Sequence, residues 1–346
     1  MTSLPGGRPR TSLGILLFFL LLAHILVMIG TPLTLHRAMH QPREIPLEAR
    51  RWMIDPGMSL STVLGRLHQR ELAPHPELAK VYLSLSGRDF VLKAGHYLLD
   101  PSMSTMQILK HFDSGKELLK KITIPEGLDL FEFKEFLEAA DLSGPLPELW
   151  VGTLIADLDP QASSLEGYLF PETYSVPEGM SRVSFVTLVL EAFRQEVKNQ
   201  SNAFIQSGLT LREWVTIASL VEKETHLPQE RQRIAGVFLN RLKKNMKLQC
   251  DPTVIYGLKL QDRYRGKIFA SDLKRDDPYN TYQRAGLPPG PIASPGAASL
   301  AAVLAPEPHE YLYFVVQPTG GHAFSKTLRE HNLAVKRYRQ WQKQTP

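Results

Sequence analysis

A chain of 346 residues with 43% hydrophobic and 22% charged positions has material for about two globular domains and is too apolar to be disordered. The net charge of +5 is spread out, in pairs such as Lys120–Lys121 and Lys243–Lys244 at most, and aromatics do not interleave with it, which argues against a nucleic-acid surface. The single cysteine, Cys250, excludes an intrachain disulfide and a cysteine-based metal site.

From Leu13 to Ile29 the chain carries no formal charge, and apolar character continues to Leu35. About 20 apolar residues span a bilayer, and no small-x-small cleavage site follows this run. The expectation is a single uncleaved N-terminal transmembrane helix over residues 13–35, preceded by a tail at 1–12 that is cytoplasmic if the rest of the chain faces outward. Arg8 and Arg10 lie before it, and Arg37, Arg43, Arg50 and Arg51 after, so charge alone does not orient it. Residues 36–47 form a polar linker with Pro42 and Pro46.

Residues 48–118 read as a small module. A strand leads to a turn at Pro56–Gly57 and a helix; a second helix stops at Gly87; a strand around "GHYLL" comes next. A third helix starts near Ser104 and stops at Gly115. The strand-helix-helix-strand order resembles a LysM-like carbohydrate-binding module; the alternative is a spacer that holds the rest of the chain at a set height above the membrane.

Residues 119–346 open with a strand carrying alternating Ile122 and Ile124, then a helix. "SSLEGYLFPETYSVPEG" reads as a loop with short strands. In "TLREWVTIASLVEKETHLP", residues 210–228, Thr210 and Glu213 make a capping box, and Leu211, Trp214, Val215, Ala218 and Val221 define one apolar stripe. After Pro228 a second amphipathic helix carries Ile234, Val237, Phe238 and Leu242. "QCDPTVIYG" reads as a strand-like run in which Cys250 packs and "GLPPGPIASPG" as a rigid loop; "EYLYFVVQPTGGHAFSKT" and a basic C-terminal helix complete the chain. Helices and strands mix without regular alternation, so the expected class is α+β.

The chemistry turns on one acid. At ~100° per residue, Glu222 falls within roughly 20° of Leu211 and Val215, on the apolar stripe. Desolvation there disfavours the charged form, the condition for a general acid at neutral pH. The structural alternative is a carboxylate paired with Arg231 or Arg233. Glu224 points off the stripe and is assigned to structural support. Glu222 and His226 share a helix face, with His322 and His331 downstream, but no H-E-x-x-H occurs, so no metal or other cofactor is expected. No G-x-S-x-G nucleophile elbow is present either. Gln249, Asp251, Tyr256, Asn280, Tyr282 and His322 are the candidate sugar contacts, by ring stacking and hydrogen bonding. Asp251 before Pro252 and Asn280 before Thr281 also suit plain turn capping.

"IASLVEKET", "VFLNRL", "LQCDPTVIYG", "PYNTYQRAGLPPGPIASPG", "YLYFVV" and "GGHAFSKTLREHN", with "TIPEG" and "LEGYLFPETY" before them, resemble the YceG-like family of endolytic murein transglycosylases, in the family's order over nearly the whole chain. The resemblance implies that Glu222, as the acid of the first motif, is catalytic. The reaction implied is cleavage of the β-1,4 bond between N-acetylmuramic acid and N-acetylglucosamine within a peptidoglycan glycan strand. Glu222 would protonate the leaving oxygen and then take the proton of the substrate's 6-hydroxyl, closing a 1,6-anhydro ring. A two-carboxylate glycosidase needs a second acid, whereas here the substrate supplies the nucleophile. The resemblance further implies a bacterial inner-membrane protein with its catalytic domain on the periplasmic side, partnered with peptidoglycan synthases and ending strand elongation. Cys250 stands where the family often has a small hydroxyl residue, and Asp277 where serine is frequent. The rivals are a hydrolytic muramidase using Asp251 or Glu166 as second carboxylate, and a non-catalytic wall-binding scaffold.

Overall fold

Two separate hydrophobic cores organise the chain in the computed structural model, which describes Phe18 and residues 31–116, 118–318 and 320–344. They belong to two units, Met1–Lys120 and Lys121–Pro346. The expected tail and membrane segment lie outside the described residues except for Phe18 and residues 31–35. Among the described residues, no helix is long and apolar enough to cross a membrane.

In the first unit, residues 31–40 are helical (α1). Strand β1 (Arg43–Glu44) pairs antiparallel with β4 (Ser102–Met103), and β2 (Arg51–Ile54) with β3 (Gly95–Leu98), setting Trp52 opposite Tyr97. Between β2 and β3 lie α2 (Leu60–Gln69), whose first turn is capped by Ser59, and α3 (Pro76–Leu85), which starts at a proline. Helix α4 (Thr105–Ser114) has a Ser104–Gln107 capping box. Each helix buries residues three and four apart: Val63, Leu64 and Leu67 from α2, Ala79 and Leu83 from α3, and Ile108, Leu109 and Phe112 from α4. The strand-helix-helix-strand order expected from the turn and cap signals is present.

The second unit starts with β5 (Leu119–Thr123), which pairs with β6 (Thr173–Pro177), and α5 (Leu130–Ala139) between them. After α6 (Arg182–Asn199) and α7 (Ser201–Ser207) comes α8 (Leu211–Glu224), which packs against α9 (Pro228–Lys243) and α11 (Ala297–Leu304). Helix α10 (Asp251–Leu260) follows α9 in sequence. The chain closes with an antiparallel hairpin, β7 (Tyr313–Val316) and β8 (His322–Ser325), and helix α12 (Leu328–Gln344) packed on it. This is the mixed α+β arrangement expected.

Two local expectations are corrected. Residues 251–260 form a helix, not a strand-like run; Pro252 occupies the first turn, where its missing N–H costs no hydrogen bond and its fixed φ suits a helix. A short apolar run carries no period long enough to separate the two states. The second concerns α8, which is not amphipathic in place: every residue from Trp214 to Glu222 is buried. Trp214 stacks on Phe204, with ring centroids 5.0 Å apart, and its indole N–H donates to the Leu300 carbonyl at 2.8 Å. A helix enclosed on all sides has no single apolar face to read.

Candidate active site

The second unit holds a cleft of about 570 Å³ where the end of α8, the segment after α9, the β7–β8 hairpin and α12 converge. Arg241, near the end of α9, fixes two of its walls: the guanidinium donates to the Leu312 carbonyl before the hairpin and to the Leu248 carbonyl at 2.7 Å. Its neighbour Asn240 donates to the carbonyls of His309 and Tyr311 at 2.9 and 3.1 Å. The "NR" of "VFLNRL" therefore serves to hold backbone. Beyond α9 the chain reverses through Asn245 and Gln249, both at positive φ (54° and 50°), and enters α10 with Cys250 as N-cap.

Glu224, the last residue of α8, lines this cleft half-buried. The Cys250 thiol donates to its Oε1 at 3.1 Å. Burial pushes the Glu224 carboxyl above its usual range, with Asp251 adding to the shift against the opposing influence of Cys250, His322 and Arg241. Burial also lifts the Cys250 thiol well above its usual value, so it remains a protonated donor. Asp251 and Gln249 are exposed in the same cleft. Tyr282 donates its hydroxyl to Asp251 Oδ1 at 2.6 Å, and His322 on β8 sits on the opposite strand-built wall with its ring against Glu230.

Four of the six expected sugar contacts, Gln249, Asp251, Tyr282 and His322, are thus brought together. The other two are corrected. Asn280 is 1% exposed, and its amide is spent on the carbonyls of Asp272, Leu273 and Arg275. Tyr256 is 3% exposed, packed edge-on to Tyr279 in the core. Neither side chain is open to a ligand.

Glu222 is not among the residues lining the cleft. It is 3% exposed; Oε2 accepts the Gly296 N–H at 2.9 Å, and Oε1 lies 3.5 Å from Arg231, which also reaches Glu126 at 3.3 Å. Burial and the neighbouring Glu222 push Glu126 up. The absence of a side chain on Gly296 makes room for this carboxylate: a Cβ there would stand 2.0 Å from Glu126 Oε1 and push it aside. This cluster clasps "TIPEG" and "IASPG" to α8, an extended form of the arginine pairing set out above as the structural alternative. Glu166, the rival carboxylate, accepts the Leu130 N–H at 3.0 Å and is pushed up to about 8 by burial, outside the cleft.

Glu224, assigned to structural support from the sequence, lines the cleft, as do Tyr313 and His331, which the sequence does not single out as sugar contacts. One signal points to Glu224. It stands in the last turn before Pro228, where a buried helix leaves the core.

The profile of the YceG-like family matches residues 52–337. A Bacillus subtilis (strain 168) protein named endolytic murein transglycosylase is 31% identical over 304 residues, covering 82% of this chain and 83% of its own length. A protein of the same name from Streptococcus pneumoniae serotype 2 is 35% identical over 270 residues, 69% of this chain and 49% of its own, so this chain matches about half of it. A crystal structure of a yceG-like protein from Listeria monocytogenes superposes with a TM-score of 0.52 and 32% identity, covering 82% of this chain and 97% of that one. The ordered motifs, the cleft they build and these matches agree: the chain belongs to the YceG-like family.

Proposed function

We propose that the protein is an endolytic lytic transglycosylase of peptidoglycan, with Glu224 rather than Glu222 as its acid. One observation carries the choice: Glu224 lines the large cleft, half-buried and raised in pKa, whereas both Glu222 oxygens face the Gly296–Arg231 clasp. A protonated Glu224 donates to the glycosidic oxygen between N-acetylmuramic acid and N-acetylglucosamine as the C1–O4 bond breaks. The substrate's 6-hydroxyl then closes on C1, gives up its proton to a base in the cleft, and leaves a 1,6-anhydro end. Such a site needs one carboxylic acid and a wall of polar contacts, which Gln249, Asp251 and Tyr282 supply.

Asp251 gives the rival reading its footing, since a second carboxylate in the same cleft suits hydrolysis. Isolated glycan strands digested by the full-length protein separate the readings, because hydrolysis adds a water to each new end and transglycosylation does not. Glu224→Gln is expected to slow release of anhydro ends by roughly 10²–10⁴-fold, the worth of positioned proton transfer. Glu222→Gln keeps an oxygen for the Gly296 N–H and is expected to retain most of the rate. The reverse ranking would return the acid to Glu222, and activity intact in both would favour a non-catalytic scaffold.

The setting follows from the same reading. A glycan substrate lies outside the cytoplasm, so residues 13–35 act as the inner-membrane anchor and both units face the periplasm. The first unit serves as the LysM-like wall-binding module, and cleavage ends strand elongation beside the synthases that make the strand. A C-terminal reporter active only after export is the expected topology result; cytoplasmic reporter activity would rule it out.

A further inference from the structure

We propose that His322, held by Glu230, takes the proton of the attacking 6-hydroxyl, so that acid and base duties are divided between Glu224 and His322. The inference rests on the functional reading above and assigns to His322 a role beyond lining the wall.

Glu230 is buried, and it is committed to this histidine. Its Oε2 lies 2.7 Å from His322 Nδ1, and its Oε1 accepts the His322 backbone N–H at 2.8 Å. Burial alone would raise its pKa, but the contacts with His322, together with the Thr225 hydroxyl, outweigh burial and hold the carboxyl below its ordinary value. An ionised carboxylate only accepts, so Nδ1 carries a proton and donates it. In the neutral ring Nε2 is then the nitrogen with the free lone pair, on a side chain that lines the cleft. The ring is also fixed by packing: Phe314 meets it edge-on at 5.4 Å and 87°, and Phe324 lies at 6.3 Å.

The backbone is shaped around this pair. Gly321 sits at φ +73°, and a Cβ there would stand 2.5 Å from Glu230 Oε1, so the second glycine of "GGH" leaves room for the carboxylate. The same carboxylate meets Thr225, the residue after Glu224, with Thr225 Oγ1 3.4 Å from Glu230 Oε2. One buried anion therefore ties the end of the acid's helix to the imidazole.

The step balances. The Glu224 proton goes to the leaving O4 as C1–O4 breaks, C1–O6 forms, and the O6 proton passes to Nε2. The resulting imidazolium rests against the Glu230 carboxylate. Water in the open cleft then takes the imidazolium proton and reloads Glu224, with no net gain or loss.

The test uses the full-length chain in detergent and isolated, uncrosslinked glycan strands, with thermal unfolding to confirm that each variant is folded. His322→Gln is expected to lower kcat by roughly 10²–10⁴-fold with KM changed less than about threefold. It should also raise the share of water-added ends over anhydro ends, because the 6-hydroxyl has lost its base while the acid remains. Glu230→Gln leaves the imidazole in place but removes the anion behind it, and should lower kcat by roughly 10²-fold or more in the same direction. That variant decides the matter if His322→Gln does not fold. Either folded variant with near-normal kcat, a loss confined to KM, or a slowed reaction with an unchanged anhydro share would overturn the proposal. With Glu224→Gln inactive in the same series, such a result leaves the transglycosylase reading standing. An active Glu224→Gln protein would mean that the underlying reading has failed first.

Discussion

The Cys250 thiol lies 3.1 Å from Glu224 Oε1 and donates to it. A thiol is a weak donor, so it opposes the effect of burial on Glu224 less than a hydroxyl would. In the acid role proposed for Glu224 the protonated form is the active one, so the rate is expected to fall as pH rises through its pKa. Cys250→Thr places a stronger donor on the ionised carboxylate, lowers that pKa, and should move the alkaline limb of kcat/KM toward lower pH. Cys250→Val removes the donor and should move the limb the other way. Asp251, Arg241 and His322 also act on the carboxyl and are the same in both variants. Profiles that coincide with the parent protein's in both cases would show that Cys250 does no more than fill space.

At the scale of elements, the capping box of α8 and the helices around it were legible because caps and periodicity are local signals. Which of Glu222 and Glu224 lines the cleft is not legible in this way. A helical wheel reports direction around an axis, but α8 is enclosed in every direction through Glu222, and depth along the axis decides which carboxylate meets the cleft. Asn280 and Tyr256 failed as sugar contacts for a related reason: residue type cannot say whether an amide or phenol is already spent on backbone or core. Gln249, Asp251, Tyr282 and His322 do line the cleft, because segments at element ends reach the surface. Glu166 shows an element held at a cost. Its carboxylate accepts the Leu130 N–H at the start of α5, yet burial pushes it up to about 8. A folded-state pKa above the unfolded value of ~4.3 means that its contribution is fully present below about pH 4 and is lost as pH rises toward about 8. Each tenfold difference in proton affinity between the folded and unfolded chain corresponds to about 1.4 kcal/mol, so the lost stability should be measurable. Glu166→Gln retains an acceptor for Leu130 without a titrating proton. Its melting temperature relative to the parent should rise between pH 5 and pH 8; a constant difference over that range would remove Glu166 as the source.

At the scale of the whole molecule, every buried residue of one core lies between Met39 and Phe112, and every one of the other between Ile124 and Val303. A unit with its own closed core has the means to fold alone, because burial within it already offsets the ordering of its chain. The whole cleft, from Glu224 to Arg339, belongs to the second unit. Residues 121–346 should accordingly give a cooperative melt and cleave short glycans at a rate close to that of the full chain. What they should lose is retention on polymeric wall, if the first unit is the LysM-like binder its element order suggests. Co-sedimentation with insoluble peptidoglycan and turnover of short soluble glycans, measured on the same two proteins, separate the two functions. A fragment that loses both equally would make the first unit part of the catalytic machinery, and one that keeps both would make it a spacer.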